Sequence, residues 1–300
     1  MRIGIIGLGD IAQKAYLPVI TEMDNVEIVF CTRNIEILKK VSKKYRINEY
    51  VQTVEELMNK NIDAAFIHAA TCAHVQIAEK LINNGIHVYI DKPISLEIEE
   101  TKRLVELAKA KSVIAMVGFN RRFAPMYKSL RDYGDADIII MQKNRYILPG
   151  ETRRFIMDDF IHVVDTIRFL MGKEIKDVKV QYVKKENFLY SVIIQLIGDN
   201  CTAIGIMNRN NGVTEEKVEY MVEGNKYVVQ DMVECTHFSG MDNNFEKFDD
   251  WKPTLYKRGF YQIVQYFIDC VENGNKPEPS IEDSMVSHEI CEKIIEIIGE

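Results

Sequence analysis

An aspartate, a histidine and a second aspartate recur at i, i+4 and i+7 in Met157-Asp158-Asp159-Phe160-Ile161-His162-Val163-Val164-Asp165. On a helix those three residues share one face. Two carboxylates beside an imidazole in an otherwise apolar segment are costly unless they are paired or at work. A carboxylate neighbour favours the charged imidazole and can fix its orientation, which suits a general acid or base near neutral pH. The same spacing also describes a surface histidine with acidic neighbours, and spacing alone does not separate the two readings. The second group is Asp91-Lys92-Pro93, where the apolar run Val88–Ile90 stops. A lysine there points an ammonium at the ligand edge of a sheet, or is an ordinary surface lysine in a strand-to-helix loop. Pro93 is compatible with a preceding cis bond. His68, His74, His87, His237 and His288 have no comparable company and read as structural.

The residues that would position a ligand stand at the start of the chain. Ile3-Gly4-Ile5-Ile6 runs into Gly7-Leu8-Gly9-Asp10-Ile11-Ala12 and then into a helix-compatible stretch. This is the G-x-G-x-x-A turn of a dinucleotide site. Gly7 permits the sharp turn, Gly9 removes a side chain that would meet a pyrophosphate, and Ala12 lets the helix lie close. Asp10 and Ile11 open that helix, whose free N–H groups and dipole favour phosphate. At the end of the second strand, Cys31-Thr32-Arg33-Asn34 lacks the acidic residue that holds a ribose 2′-hydroxyl. Arg33 can meet a 2′-phosphate and Thr32 can add a hydroxyl, which favours NADP over NAD. Ala70, Thr71 and His74 are expected along the dinucleotide path, with Asp91 and Lys92 at its far end.

Strand-like runs at Arg2–Ile6, Val26–Thr32, Ala64–Ile67, Val88–Ile90 and Val113–Gly118 alternate with helical stretches. Asn34 and Thr53 suit helix N-caps. The alternation implies an α/β, doubly wound parallel sheet. After Phe119 the texture changes. Ala136–Tyr146, Val178–Val183, Tyr190–Ile197, Thr202–Met207, Lys217–Val222 and Lys226–Gln230 read as strands, with one helix at Asp158–Met171. Helices at Phe260–Asn273 and Ile281–Ile298 close the chain. The expectation is a dinucleotide-binding domain over 1–119 and an α+β, mainly antiparallel, open-sheet domain over 120–300 for substrate binding and oligomerisation. The closing helices are free to pack back on the first domain.

Composition bounds the class. Of 300 residues, 47% are apolar and 28% charged, enough for a sizeable core. A net charge of −7 argues against nucleic acid as a partner. No uninterrupted apolar run approaches the roughly 18 residues that a membrane span needs. Six scattered cysteines without C-x-x-C spacing, in a chain that opens without a secretion signal, read as free thiols of a cytoplasmic protein, with no metal.

Together these residues resemble the Gfo/Idh/MocA oxidoreductase family, in its MviM-like branch. The resemblance rests on Gly7 to Ala12, Asp91-Lys92-Pro93, Gly118-Phe119-Asn120-Arg121-Arg122-Phe123, Asp158 four residues before His162, and the late segment Trp251 to Phe260, and it spans essentially the whole chain. It implies a Rossmann domain followed by an open-faced sheet domain. It also implies hydride transfer between a nicotinamide and the hydroxyl or carbonyl of a sugar, a polyol or a similar small molecule. Lys92 matches the lysine of the family's E-K-P motif, and Asp158 and His162 match its D-x-G-x-H motif. By analogy His162 moves the hydroxyl proton, Lys92 steadies developing oxyanion charge, and Asp158 orients the substrate or the imidazole. Asp91 in place of glutamate is a mild departure. Phe160 in place of glycine is a larger one, expected to narrow the pocket or to change the helix entry; a shift of local register would make Asp159 the acid. Asn120, Arg145, Phe160 and Asp159 are candidate substrate contacts. Cations among Lys143, Asn144, Arg145, Tyr146, Lys257 and Arg258 would suit a carboxylate or phosphate. A homodimer or homotetramer through the second sheet is expected. The rival readings are a non-catalytic NAD(P) sensor and a nicotinamide-dependent lyase or glycosidase that recycles its cofactor.

Overall fold

The computed structural model describes residues 1–300, which divide into two compact units: 1–118 with 260–285, and 119–259 with 286–300. In the first unit, β1 (Arg2–Ile6) leads through a π turn (Ala12–Tyr16) into α1 (Leu17–Ile20). Then follow β2 (Glu27–Cys31), α2 (Ile35–Tyr45), β3 (Tyr50–Val51), α3 (Val54–Met58), β4 (Ala64–Ile67), α4 (Thr71–Asn83), β5 (His87–Ile90), α5 (Ile98–Lys111) and β6 (Ala115–Val117). The helices start where capping chemistry allows. Asn34 Oδ1 accepts the amides of Glu36 and Ile37, and Thr53 forms a capping box with Glu56. All strands pair in parallel in the order β3-β2-β1-β4-β5-β6. β4 is buried along its whole length, as a strand covered on both faces must be. The order reverses between β1 and β4, and ligands of such sheets lie beyond the carboxyl ends of the strands there. From the helix Phe260–Asn273, Phe267 meets the rings of Phe66 and Tyr89 edge-on at 5.2 and 5.5 Å.

The second unit opens with a 3-10 turn (Asn120–Phe123) and α6 (Pro125–Lys128), followed by β7 (Ile138–Asn144). A continuous helical stretch then runs through α7 (Thr152–Arg154), a π segment (Phe155–Phe160) and α8 (Ile161–Met171). The remaining strands are β8 (Asp177–Lys185), β9 (Phe188–Gly198), β10 (Cys201–Asn208), β11 (Glu215–Val222), β12 (Asn225–Gln230), β13 (Glu234–Ser239) and β14 (Asp242–Lys247). The eight-stranded sheet has the order β14-β13-β12-β11-β7-β10-β9-β8 and is antiparallel except between β7 and β10. The hairpin β13–β14 is additional to the strands read from the sequence. β14 is exposed along its whole length and β13 is mostly half-buried, and neither carries an apolar alternation, as suits a sheet edge open to water.

α8 lies on one face of this sheet. It approaches β10 so closely that a Cβ at Gly205 would sit 2.8 Å from Val163 Cγ1. The opposite face shows partly exposed Ile138 and Ile140 on β7, Ile204 and Ile206 on β10, Ile193 and Ile197 on β9 and Met221 on β11, in register across the pairings. Under α8, Arg122 donates from Nε and Nη2 to the two carboxylate oxygens of Asp165 at 2.8 and 2.6 Å, and Ser287 Oγ donates to the same carboxylate at 2.8 Å. Asp165 is thus committed to fastening the 3-10 turn and the terminal helix, and the spacing argument that placed it beside His162 as a second acid gives way to this pair.

None of the helices is long and apolar enough to cross a membrane. All six cysteines are free; Cys31, Cys201, Cys270 and Cys291 are buried.

Removing one partner of a buried ion pair strands the other in a low-dielectric interior. Arg122→Met is expected to lower the unfolding free energy by about 3–5 kcal/mol, and Arg122→Met with Asp165→Leu to restore most of it. Urea unfolding of the single and double variants measures both.

Candidate functional site

The first unit gathers the predicted cofactor residues at the carboxyl edge of its sheet. Gly7 has φ +86°, and a Cβ there would fall 2.5 Å from the amide nitrogen of Ala69. Only glycine lets the end of β1 cross so near the chain leaving β4. Gly9 is exposed, and a Cβ added to it meets no atom within 4 Å. The space above the turn is therefore open for a diphosphate, while Ala12 is fully buried against the strand. Asp10 and Ile11 begin the helical run and are exposed, Asp10 pairing with Lys14 at 2.8 Å. Thr32 and Arg33 leave the end of β2, with the Arg33 side chain at the surface and its carbonyl accepting from Gln52. Asn34 spends its side chain capping α2. Ala70 is the exposed N-cap of α4 and Thr71 its first residue.

His74 is a clamp. Its buried ring places Nδ1 2.9 Å from the carbonyl of Pro93 and Nε2 3.0 Å from that of Ala69, tying the loop after β5 to the loop after β4. The Lys92–Pro93 peptide is cis. Behind Lys92 lies a hydroxyl relay. Tyr16 donates to Asp91 Oδ1 at 3.1 Å and stands 3.1 Å from the hydroxyl of Tyr89. A phenol has one proton to give, so with Tyr16 donating to Asp91, Tyr89 donates to Tyr16. Burial raises the Asp91 carboxyl above its usual range, and the charge of Lys92 draws it partly back. Both phenols are pushed well up by burial. Gly118 makes room for them, since a Cβ there would lie 2.8 Å from the Tyr16 oxygen and 2.9 Å from that of Tyr89. His68, the residue after β4, stacks on Tyr16 at 3.9 Å between ring centroids and has both ring nitrogens buried without a partner. Burial pushes its pKa down to about 3. His68 reads as structural in the sequence, and Tyr16 and Tyr89 carry no motif there. The available signal was position, because His68 directly follows a strand at the ligand edge.

In the second unit, residues 155–167 are buried with two exceptions: Asp158 and His162 alone keep partial access to solvent. The π segment ends where α8 begins, and Phe160 at that junction has no exposed surface. The bulk that replaces glycine in D-x-G-x-H is thus taken up by the core. Asn120 is also buried and donates to the carbonyl of Arg258 at 2.8 Å.

Asp159 points into a charged cluster. Its carboxylate accepts from Lys143 Nζ, from Arg145 Nε and Nη2 at 3.0 Å each, and from Arg209 Nη2 at 2.9 Å. Beside them Arg121 forms a two-bond pair with Glu216 at 2.8 and 2.7 Å, with the Tyr127 hydroxyl on the same carboxylate at 3.1 Å. Burial would raise Asp159, but Lys143 and Arg145 hold it well below the usual carboxylate range. Burial pushes Lys143 down to about 7. Arg209 and Glu216 carry no sequence motif, whereas Arg121 belongs to the Gly118–Phe123 motif and reaches Glu216 from the 3-10 turn. Pairing brings in the rest: the register sets Lys143 opposite Glu216, and the parallel pairing brings the ends of β7 and β10 together at Arg145 and Arg209.

A parallel sheet of this strand order with an open glycine turn, joined in one chain to a mixed sheet under a histidine-bearing helix, defines a two-unit NAD(P)-dependent oxidoreductase. Comparison with known proteins gives the family. Residues 1–119 match the oxidoreductase family with an NAD-binding Rossmann fold, and residues 125–239 match the YceM-like C-terminal domain. The chain is 34% identical to a Salmonella typhimurium protein named as the oxidoreductase YceM, over 98% of this chain and 97% of that one. The crystal structure of a dehydrogenase (MviM) from Clostridium difficile superposes with a TM-score of 0.95 at 32% identity, covering 99% of each chain. The scyllo-inositol 2-dehydrogenase (NAD(+)) of Bacillus subtilis is 23% identical over 97% of this chain and 92% of its own. The chain belongs to the Gfo/Idh/MocA family of oxidoreductases.

The buried neutral His68 sets a pH dependence. Between its ordinary pKa of 6.5 and about 3 the unfolded chain carries a proton that the folded chain refuses. Unfolding therefore takes up protons in that window, and stability falls as pH drops through it, by up to about 1.4 kcal/mol per pH unit. His68→Phe is expected to flatten the profile between pH 6 and 4 (about one ionisation's worth of slope). Urea midpoints across that range measure the difference; an unchanged slope removes His68 from the account.

Proposed function

We propose that this oxidoreductase interconverts a secondary hydroxyl and a carbonyl on a polyol or sugar, with Lys92, Asp158 and His162 as its catalytic residues. The observation that carries the reading is the selective exposure of Asp158 and His162 in an otherwise buried helical stretch. A charged residue and an imidazole kept at the surface of a core helix can reach a ligand without exposing the core. His162 takes the hydroxyl proton in oxidation and returns it in reduction. Asp158, one turn earlier, orients the substrate or the ring. Lys92, held beside an Asp91 that is itself fixed by Tyr16, offers its ammonium to the developing alkoxide. Gly7, Gly9, Asp10, Ile11, Ala12, Ala70 and Thr71 would hold the dinucleotide, and His74 fixes the two loops that flank it. When bound, the nicotinamide supplies the hydride exchange. The inositol dehydrogenase among the relatives supports a polyol. Arg33 and Thr32, where an acidic residue would read a free ribose, support NADP.

The open isoleucine-rich face of the second sheet supports a homodimer or homotetramer in which a second copy covers it.

Lys92→Ala and His162→Ala are each expected to lower turnover at least about 100-fold on an inositol, polyol or aldose that the parent chain oxidises, with NADPH affinity kept within severalfold. Full activity in either variant removes the role given to that residue. Arg33→Ala should weaken NADPH about tenfold and leave NADH unchanged, read by cofactor fluorescence. Sedimentation at micromolar concentration should show a dimer or larger, and Ile204→Lys with Ile206→Lys should return it to a monomer. A parent chain sedimenting as a monomer refutes the assembly.

A further inference from the structure

We propose that the cluster at the carboxyl ends of β7 and β10 is an anion-recognition site, and that the substrate of this enzyme carries a carboxylate or phosphate which Arg145 and Arg209 bind. The inference rests on the oxidoreductase reading for the word substrate, and on the second unit alone for the site.

The cluster has more donors than its carboxylates can take. A carboxylate offers about four lone-pair positions. Those of Asp159 are met by Lys143, by two nitrogens of Arg145 and by Arg209. Glu216 is likewise taken by Arg121 and Tyr127. Four cations are thus held directly by two carboxylates. The donors left over include Arg209 Nε, which is buried with no acceptor at all. Leaving such a group unsatisfied is costly. Arg209 is fixed in place, its guanidinium 4.3 Å from the centre of the Phe155 ring. Arg145 keeps 32% of its side chain exposed, so the cluster opens to solvent on its side. Both arginines directly follow neighbouring parallel strands, so they stand side by side at one edge of the sheet. Asp159 adjoins Asp158 and lies three residues before His162, so the same helical stretch carries the proton-handling residues and the pin that preorganises the cations. Planar guanidinium groups held in this way match the two oxygens of a carboxylate or phosphate. In a chain of net charge −7, a localised cationic excess is a selective feature for an anionic ligand.

The test compares glucitol, gluconate and glucitol 6-phosphate, which share a carbon skeleton and differ in charge. Each is titrated calorimetrically into the full chain with and without saturating NADPH. At least one anion is expected to bind ten or more times tighter than glucitol, and the identity of that anion separates carboxylate from phosphate. Arg145→Met and Arg209→Met should close the gap, while Lys179→Met on the exposed face of β8 leaves it intact. If Arg209→Met does not fold, Arg145→Met, at the partly exposed arginine, decides. Equal affinity for all three, heat from none of them, or a preference that survives Arg145→Met overturns the proposal. NADPH binding is read separately by fluorescence. A chain that binds NADPH and ignores the anions loses this inference alone; one that binds the anions and no pyridine nucleotide loses the functional reading and keeps the site.

Discussion

A single buried carboxylate, Asp159, holds the second unit's chemical edge together. Lys143, Arg145 and Arg209 converge on it from β7 and from the chain just past the ends of β7 and β10, and the largely buried Arg209 would lose its paired carboxylate without it. The consequence runs outward from that point. The π segment that carries Asp159 must lie over the ends of β7 and β10, which fixes the start of α8 and therefore where Asp158 and His162 emerge. The Arg122–Asp165 pair fastens the other side of the same helix. Two ionic anchors on one helix define its rotation, and the rotation decides which side chains face water.

The first unit solves a related problem with neutral groups. Asp91 is half-buried beside Lys92, and its carboxylate accepts from the Tyr16 phenol, which in turn stands against the phenol of Tyr89. Gly118 and Gly7 are the steric conditions for this arrangement, one clearing space for the phenols and the other for the strand crossing.

Much of the fold was legible in the sequence because its signals are local. The glycine turn, the alternation of short apolar strands with helices, and the caps at Asn34 and Thr53 depend on residues near each other in the chain. The two closing helices fall where their apolar periodicity places them. The hairpin β13–β14 was not legible, because an exposed edge strand needs no apolar alternation. The site divides along the same line. Lys92, Asp158 and His162 carry recognisable spacing. The role of Asp165 did not follow from spacing, since its partners Arg122 and Ser287 are distant in sequence. Phe160, where the family motif has glycine, closes the π segment and is fully buried, a placement that depends on the packing of the helix and not on spacing. Arg209 and Glu216 join the cluster through strand register and Arg121 through the fold of the 3-10 turn onto Glu216, neither of which a linear reading reveals.

The parallel contact between β7 and β10 is the exception in an otherwise antiparallel sheet, and it has an evolutionary corollary. Strands that run the same way release their following loops, residues 145–151 and 209–214, side by side at one rim. The bridges Tyr146–Asn211 and Gly150–Leu189 tie those loops down, while the side chains of Tyr146, Ile147 and Leu148 stay exposed. New ligand preferences can therefore arise by exchange of those exposed side chains, while Arg145, Arg209 and the scaffold that aims the helix stay as they are.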